Sequence, residues 1–120
     1  MVYTAQSQSL AALEIVVHLD SSELLRQYVV IEVEIDETLI ARVSLTELPA
    51  NWRADPPPPA VRKIGDVWAT EGRSAVLQAP SATVPAEHSF LLNPRHAAFP
   101  KLRIGKPSPF QFDPRLAGRR

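Results

Sequence analysis

Cysteine is absent from this 120-residue chain, which excludes a disulfide framework, a thiolate zinc site, an iron–sulfur cluster and a cysteine nucleophile. Glycine is scarce. The four glycines stand singly at Gly65, Gly72, Gly105 and Gly118, so neither a Rossmann nor a P-loop fingerprint is present. Charge of one sign is lacking too: thirteen Lys and Arg balance thirteen Asp and Glu, which argues against a protein held mainly by nucleic-acid phosphates. No apolar run approaches the roughly 18–20 residues that span a bilayer, and the first residues lack a basic segment followed by an apolar stretch. His18, His88 and His96 show no metal-ligand spacing, so no metal is expected. What remains is the expectation of a soluble cytoplasmic domain with no membrane and no direct nucleic-acid partner.

What is present is enough for a core. Hydrophobic residues make up 45% and charged residues 22%, and the length suits a single domain over 1–120. No internal repeat is visible. Proline is the compositional oddity: twelve in 120 residues, about double the ordinary usage near 5%. Pro56 to Pro59 form an unbroken run with no backbone donor, which predicts an extended polyproline-type connection. That run reads as a stiff loop, with a ligand for a proline-binding partner as the alternative.

Along the chain, Val2 to Thr4 reads as a strand and Gln6 to Ser9 as a turn into a helix capped by Ser7 or Ser9. Leu10 to Leu19 is apolar nearly all round, interrupted by Glu14 and His18 at i and i+4, which predicts a largely buried helix with one narrow polar stripe. Tyr28 to Asp36 alternates with a period of two and predicts one continuous strand. Leu39 to Leu45 reads as a shorter strand. Ala60 to Thr70 reads as a helix with Val61, Ile64, Val67 and Trp68 on its apolar face and Gly72 as its stop. Ser74 to Ala79, Ser81 to Val84, Phe90 to Leu92, Leu102 to Ile104 and Phe110 to Phe112 are short extended pieces divided by prolines. Two helices beside several short strands, without regular βαβ alternation, give an α+β class.

Glu14 is the residue of most chemical interest, because its helix is otherwise close to fully apolar. It either faces water along a wet edge with Ser7 and His18, or stands at the lip of a cleft where it can bind sugar hydroxyls or stabilise positive charge. Ser81 after Pro80 reads by itself as a strand-edge hydroxyl, since the G-x-S-x-G elbow is missing. Arg115, Arg119 and Arg120 read as a solvated basic end.

Taken in order, a set of segments resembles a known family. These are Val2-Tyr3-Thr4-Ala5, Leu10-Ala11-Ala12-Leu13-Glu14, Leu48-Pro49-Ala50-Asn51-Trp52-Arg53 and Gly65-Asp66-Val67-Trp68. Pro80-Ser81, Leu91-Leu92-Asn93-Pro94 with His96 and Phe99, Arg103-Ile104-Gly105 and Pro109-Phe110-Gln111-Phe112-Asp113 complete it. Together they resemble the RES domain, the toxin half of bacterial pairs whose antitoxin carries a helix-turn-helix domain. The resemblance implies an ADP-ribosyltransferase-like α+β fold of short mixed or antiparallel strands with a few helices. It also implies cleavage of the nicotinamide–ribose bond of NAD by hydrolysis or phosphorolysis, with ADP-ribosyl transfer in some members. NAD is then a substrate and no cofactor is expected. The family Glu falls on Glu14 and the family Ser on Ser81 as catalytic residues, with Tyr3, Glu14 and Ser81 at the NAD pocket.

Two departures accompany the resemblance. The family Arg lies upstream of the strand matched by Val2 to Thr4, so the chain is expected to be N-terminally truncated relative to the family, with Arg73 and Arg95 as substitutes for its pyrophosphate contact. Ser89 stands where the family usually has Asn. The leading expectation is a toxin-like NAD-degrading enzyme neutralised by a helix-turn-helix antitoxin, as a monomer or an oligomer. The alternative is a catalytically inactive remnant that retains only an antitoxin- or protein-binding role.

Overall fold

The computed structural model describes residues 1–118, and its elements follow in chain order. They are β1 (Val2–Ala5), α1 (Gln8–Val16), α2 (Ser21–Leu24), β2 (Tyr28–Val30), β3 (Val33–Glu34), β4 (Ile40–Arg42), α3 (Pro59–Glu71), β5 (Val76–Pro80), β6 (His88–Leu92), β7 (Arg103–Ile104), β8 (Ser108–Phe110) and α4 (Pro114–Ala117). The class is α+β, as expected. Four strands form a mixed sheet in the order β1-β6-β5-β4, antiparallel except for the β4–β5 pair. Two two-stranded ribbons, β2–β8 and β3–β7, stand beside it.

Strand periodicity decides what each face of the sheet meets. Val76, Leu92 and Ile40 share one face by register, and with Ala75 and Leu102 they pack against Val33, Leu39 and Phe99 from the ribbon and turn layer. Leu77 and Leu91 point the other way and pack under Trp68 of α3, with Ala41 alongside. The buried core is therefore two thin layers, one on each side of β5 and β6.

Helix α3 is fixed at both ends. Pro59 sits in its first turn, where a missing N–H removes nothing that the helix would have used. Gly72 ends it at φ 63°, a left-handed conformation that favours glycine, and its N–H bonds the Trp68 carbonyl at 3.1 Å. Pro59 thus belongs to the helix, and the extended connection ends at Pro58.

Three sequence expectations give way. The continuous strand over 28–36 is two strands with different partners. Residues 31 and 32 face three residues, 105–107, so the register slips by one across a bulge, where Gly105 N–H bonds the Glu32 carbonyl at 2.7 Å and Pro107 offers no donor. The predicted strand Ser81 to Val84 is a turn between β5 and β6. The helix over Leu10 to Leu19 ends at Val16, and Leu10 alone of it is buried, with Leu13 and Val17 exposed. After Val16 the chain tightens, with His18 N–H and Leu19 N–H both on the Ile15 carbonyl, and Asp20 opens α2 by accepting from Glu23 N–H at 2.9 Å. At the far end the Arg115 side chain is 82% exposed, solvated as expected, and pairs with the Asp113 carboxylate at 2.7 Å; Arg119 and Arg120 fall outside the described residues.

Candidate active site

The site begins at the β1–α1 corner. Ser7, in extended backbone, accepts from Leu10 N–H at 3.1 Å and so caps α1, while the Gln6 side-chain carbonyl accepts from His88 N–H at 2.8 Å and ties the corner to β6. Helical spacing then sets Glu14 and His18 on one side, and both line a cavity of about 510 Å³. Its other walls include Tyr3, Ala5 and Ser89, which register places on one face of the sheet, and Tyr28 from β2. That volume lies within the roughly 300–1,000 Å³ typical of small-molecule sites. Tyr3 is 73% exposed, an aromatic surface at the mouth of the cavity on the edge strand. Thr4 contributes little chemistry, because its hydroxyl donates to the Phe90 carbonyl at 2.8 Å.

Glu14 is half-buried, and both of its carboxylate oxygens are engaged. Ser81 Oγ donates to Oε1 at 2.7 Å, and Thr83 Oγ1 donates to Oε2 at 3.1 Å. Both partners arrive from the turn between β5 and β6, far away in sequence. The wet-edge alternative for Glu14 therefore yields to the cleft. A carboxylate has about four lone-pair sites, so these two donors leave two unused.

Ser81 is placed differently from the expectation of a substrate contact. It is 1% exposed and is not among the residues lining the cavity. Its hydroxyl accepts from Thr83 N–H and Val84 N–H, both at 3.1 Å, while donating to Glu14. One donor and two acceptor positions are the whole capacity of a hydroxyl, so all of it is spent inside the protein. Of the expected residues, Glu14 and Tyr3 meet in the cavity, and Ser81 stands behind Glu14.

The substitute cations are elsewhere. Arg73 pairs with Glu71 at the end of α3, Arg95 lies in the turn after β6 with its backbone N–H on the Asn93 side chain at 3.1 Å, and neither lines the cavity. Among the described residues that line the cavity there is no Lys or Arg. Arg53 is nearer the chemistry: its Nε donates at 2.8 Å to the carbonyl of Ala82, between Ser81 and Thr83. Thr83, Tyr28 and this role of Arg53 were not among the site residues expected from the sequence. The one available signal was that Thr83 lies two residues beyond Ser81.

Titration is perturbed close to this region at Asp20. The Glu23 backbone N–H, with the Ser22 hydroxyl, holds its carboxyl below the usual aspartate range. Asp36 is lowered in the same way by the Thr38 N–H and hydroxyl, beside a separate cavity of about 470 Å³ that contains none of the expected site residues.

Comparison with known proteins supplies the context. A family model described as the RES domain matches residues 1–113. The toxin Res of Yersinia enterocolitica is 40% identical over 116 residues, covering 96% of this chain and 76% of that protein. The toxin Res of Photorhabdus laumondii is 37% identical over 116 residues, covering 96% of this chain and 74% of that protein. The Prs ADP-ribosylating toxin of a Sphingobium species is 34% identical over 119 residues, covering 97% of this chain and 74% of that protein. The ADP-ribosyltransferase-like α+β fold expected from the sequence fits both the matched domain and this last relative.

Proposed function

The chain belongs to the RES domain family, and from that premise we propose that it is a toxin-type enzyme that cleaves the nicotinamide–ribose bond of NAD. The observation that carries this reading is Glu14: a half-buried carboxylate at a cavity wall, gripped on both oxygens by hydroxyls from a distant turn. ADP-ribosylation, the activity in the name of the Sphingobium relative, breaks the same bond.

The chemistry follows from the charge that must be stabilised. As the bond from C1′ to the pyridine nitrogen breaks, its electron pair leaves with neutral nicotinamide and positive charge spreads over C1′ and the ring oxygen. A fixed carboxylate facing that carbon stabilises the cation, and its open lone pairs accept from the ribose hydroxyls. Water or phosphate then forms the new C1′–O bond and releases its proton. Tyr3 supplies an aromatic face at the cavity mouth. Ser81 acts by holding Glu14. In the cell the proposal places the protein in the cytoplasm, silenced by a helix-turn-helix antitoxin.

One observation favours a second reading, a catalytically silent protein that keeps only its antitoxin-binding role: no Lys or Arg lines the cavity among the described residues. A pyrophosphate bound there would lack a charged hydrogen bond, worth about 1.5–3 kcal/mol. One experiment separates the two. Purified protein is incubated with NAD and nicotinamide release is followed by chromatography. Release by the parent and its loss in Glu14→Ala, with a cooperative thermal transition retained above the assay temperature, is the expected result. Release at the parent rate by Glu14→Ala overturns the catalytic assignment, and no release by the folded parent selects the silent reading.

A further inference from the structure

We propose that Thr83 is a positioning residue for Glu14, the second donor of a two-point clamp whose first donor is Ser81; this deepens the NAD-cleaving reading and rests on it. A glutamate side chain does not orient its own carboxylate. Its last torsion is broad and roughly two-fold, so nothing in the residue itself fixes the plane of the carboxylate. A group that must face a developing cation needs to be held within about half an ångström of its productive position. One donor on one oxygen leaves the carboxylate free to swivel about that contact. A second donor on the other oxygen removes the swivel, and the structure supplies it: Ser81 Oγ on Oε1 at 2.7 Å and Thr83 Oγ1 on Oε2 at 3.1 Å.

The two donors come from one short turn with Ala82 between them, and that turn is built without help from Glu14. Ser81 N–H bonds the Glu87 carbonyl at 2.9 Å, and Glu87 N–H bonds the Val84 carbonyl at 2.9 Å. Thr83 N–H and Val84 N–H both bond Ser81 Oγ at 3.1 Å. From outside, Arg53 Nε fastens the Ala82 carbonyl at 2.8 Å. The hydroxyls are thus preorganised before any substrate arrives, which is the condition under which fixed dipoles aid catalysis. The α1 end is equally anchored, through the Ser7 cap and the buried Leu10.

A purely turn-stabilising role is the competing account, and the geometry separates the two. Thr83 serves the turn through its backbone N–H, which every substitution except proline retains. Its hydroxyl serves Glu14, 69 residues away in sequence. Replacing the hydroxyl alone therefore removes the second donor and leaves the turn's backbone bonds in place.

Thr83→Val keeps the shape and loses the donor, while Thr83→Ser keeps the donor. With the parent active on NAD, Thr83→Val is expected to lower kcat on the order of tenfold with KM within about twofold, and Thr83→Ser to restore most of it. A second readout needs no turnover. In protein labelled with ¹³C-glutamate, the Glu14 carboxyl resonance, assigned by its loss in Glu14→Gln, should move in Thr83→Val and return in Thr83→Ser. Unchanged kcat in Thr83→Val, a rise in KM alone, or an unmoved carboxyl resonance each overturns the clamp. If the parent consumes no NAD, the resonance alone decides the clamp, and the failure falls on the NAD reading. Should Thr83→Val lose its cooperative thermal transition, Thr83→Ala, which adds no atom and keeps the N–H bond to Ser81, carries the same readouts.

Discussion

Helices α1 and α3 are both rich in apolar residues, yet the protein uses them in opposite ways. In α3 the apolar side is spent on the sheet: Trp68 is buried against Leu77 and Leu91, while Arg62, Lys63 and Asp66 face outward. In α1 apolar residues run nearly all round, but Leu10 alone is buried, Leu13 and the capping Val17 just beyond are exposed, and the polar interruption at Glu14 faces a cavity. The first is a scaffold whose pattern matches its packing. The second is a wall: Glu14, with Ala11 and Ile15, is turned to the cavity, and its pattern does not match its packing.

The largest effect expected from breaking that contrast lies in α3. Trp68→Ala removes a buried ring whose Nε1 donates to Ser74 Oγ at 2.8 Å, and large-to-small changes of this kind destabilise by about 3–5 kcal/mol. Denaturant unfolding should show the lowered midpoint. Glu14→Ala in α1 leaves the buried Ser81 hydroxyl without its acceptor and should lower that midpoint less, a destabilisation of about 1–3 kcal/mol, while costing NAD turnover about a hundredfold or more, the scale for removing a main electrostatic stabiliser. If the two variants exchanged these phenotypes, the division into scaffold and wall would be wrong.

The division also explains what the sequence made readable. Helix α3 could be read almost residue for residue, because amphipathic spacing and Gly72 are local signals that agree with one another; only Pro59, read as part of the extended run, was missed at its start. Glu14 was readable as an anomaly, a carboxylate in an apolar run. Its partners were not, because Ser81 and Thr83 lie 67 and 69 residues away and nothing local announces the pairing. The turn carrying them looked like a strand, since Thr83 and Val84 are β-branched and propensity is a weak guide when hydroxyls compete for the backbone. The split of the strand over 28–36 was hidden for a related reason: its cause is the extra residue in 105–107 on the partner, not its own alternation.

A smaller expected effect tests the C-terminal end of α3. Gly72 adopts φ 63° with open space around it, so a side chain there meets strain in the backbone rather than a clash. Gly72→Ala should destabilise by roughly 1–2 kcal/mol with an unchanged denaturant slope. NAD turnover measured well below the unfolding midpoint should match the parent. A loss of turnover without a loss of stability would show that α3 reaches the site after all.

The smallest effect separates the two helices by pH. Asp20 links α1 to α2, and the Glu23 N–H and the Ser22 hydroxyl hold its carboxyl below the usual aspartate value of about 3.9. A depressed pKa in the folded state contributes stability that is fully present above the unfolded value and is lost as pH falls through the folded one. Acidification below about pH 4 should therefore loosen the cap of α2, and with it the segment between the cavity residues Leu19 and Tyr28, whose hydroxyl bonds the Glu23 carbonyl. Helix α3 is bounded by Pro58 and Gly72, which do not titrate, so its amides should keep their protection over the same range. Amide exchange followed between pH 5 and pH 3 reads both helices at once. In Asp20→Asn, which still caps but carries no titrating group, the added opening of α2 on acidification should vanish, and its persistence there would assign the acid response to some other carboxylate.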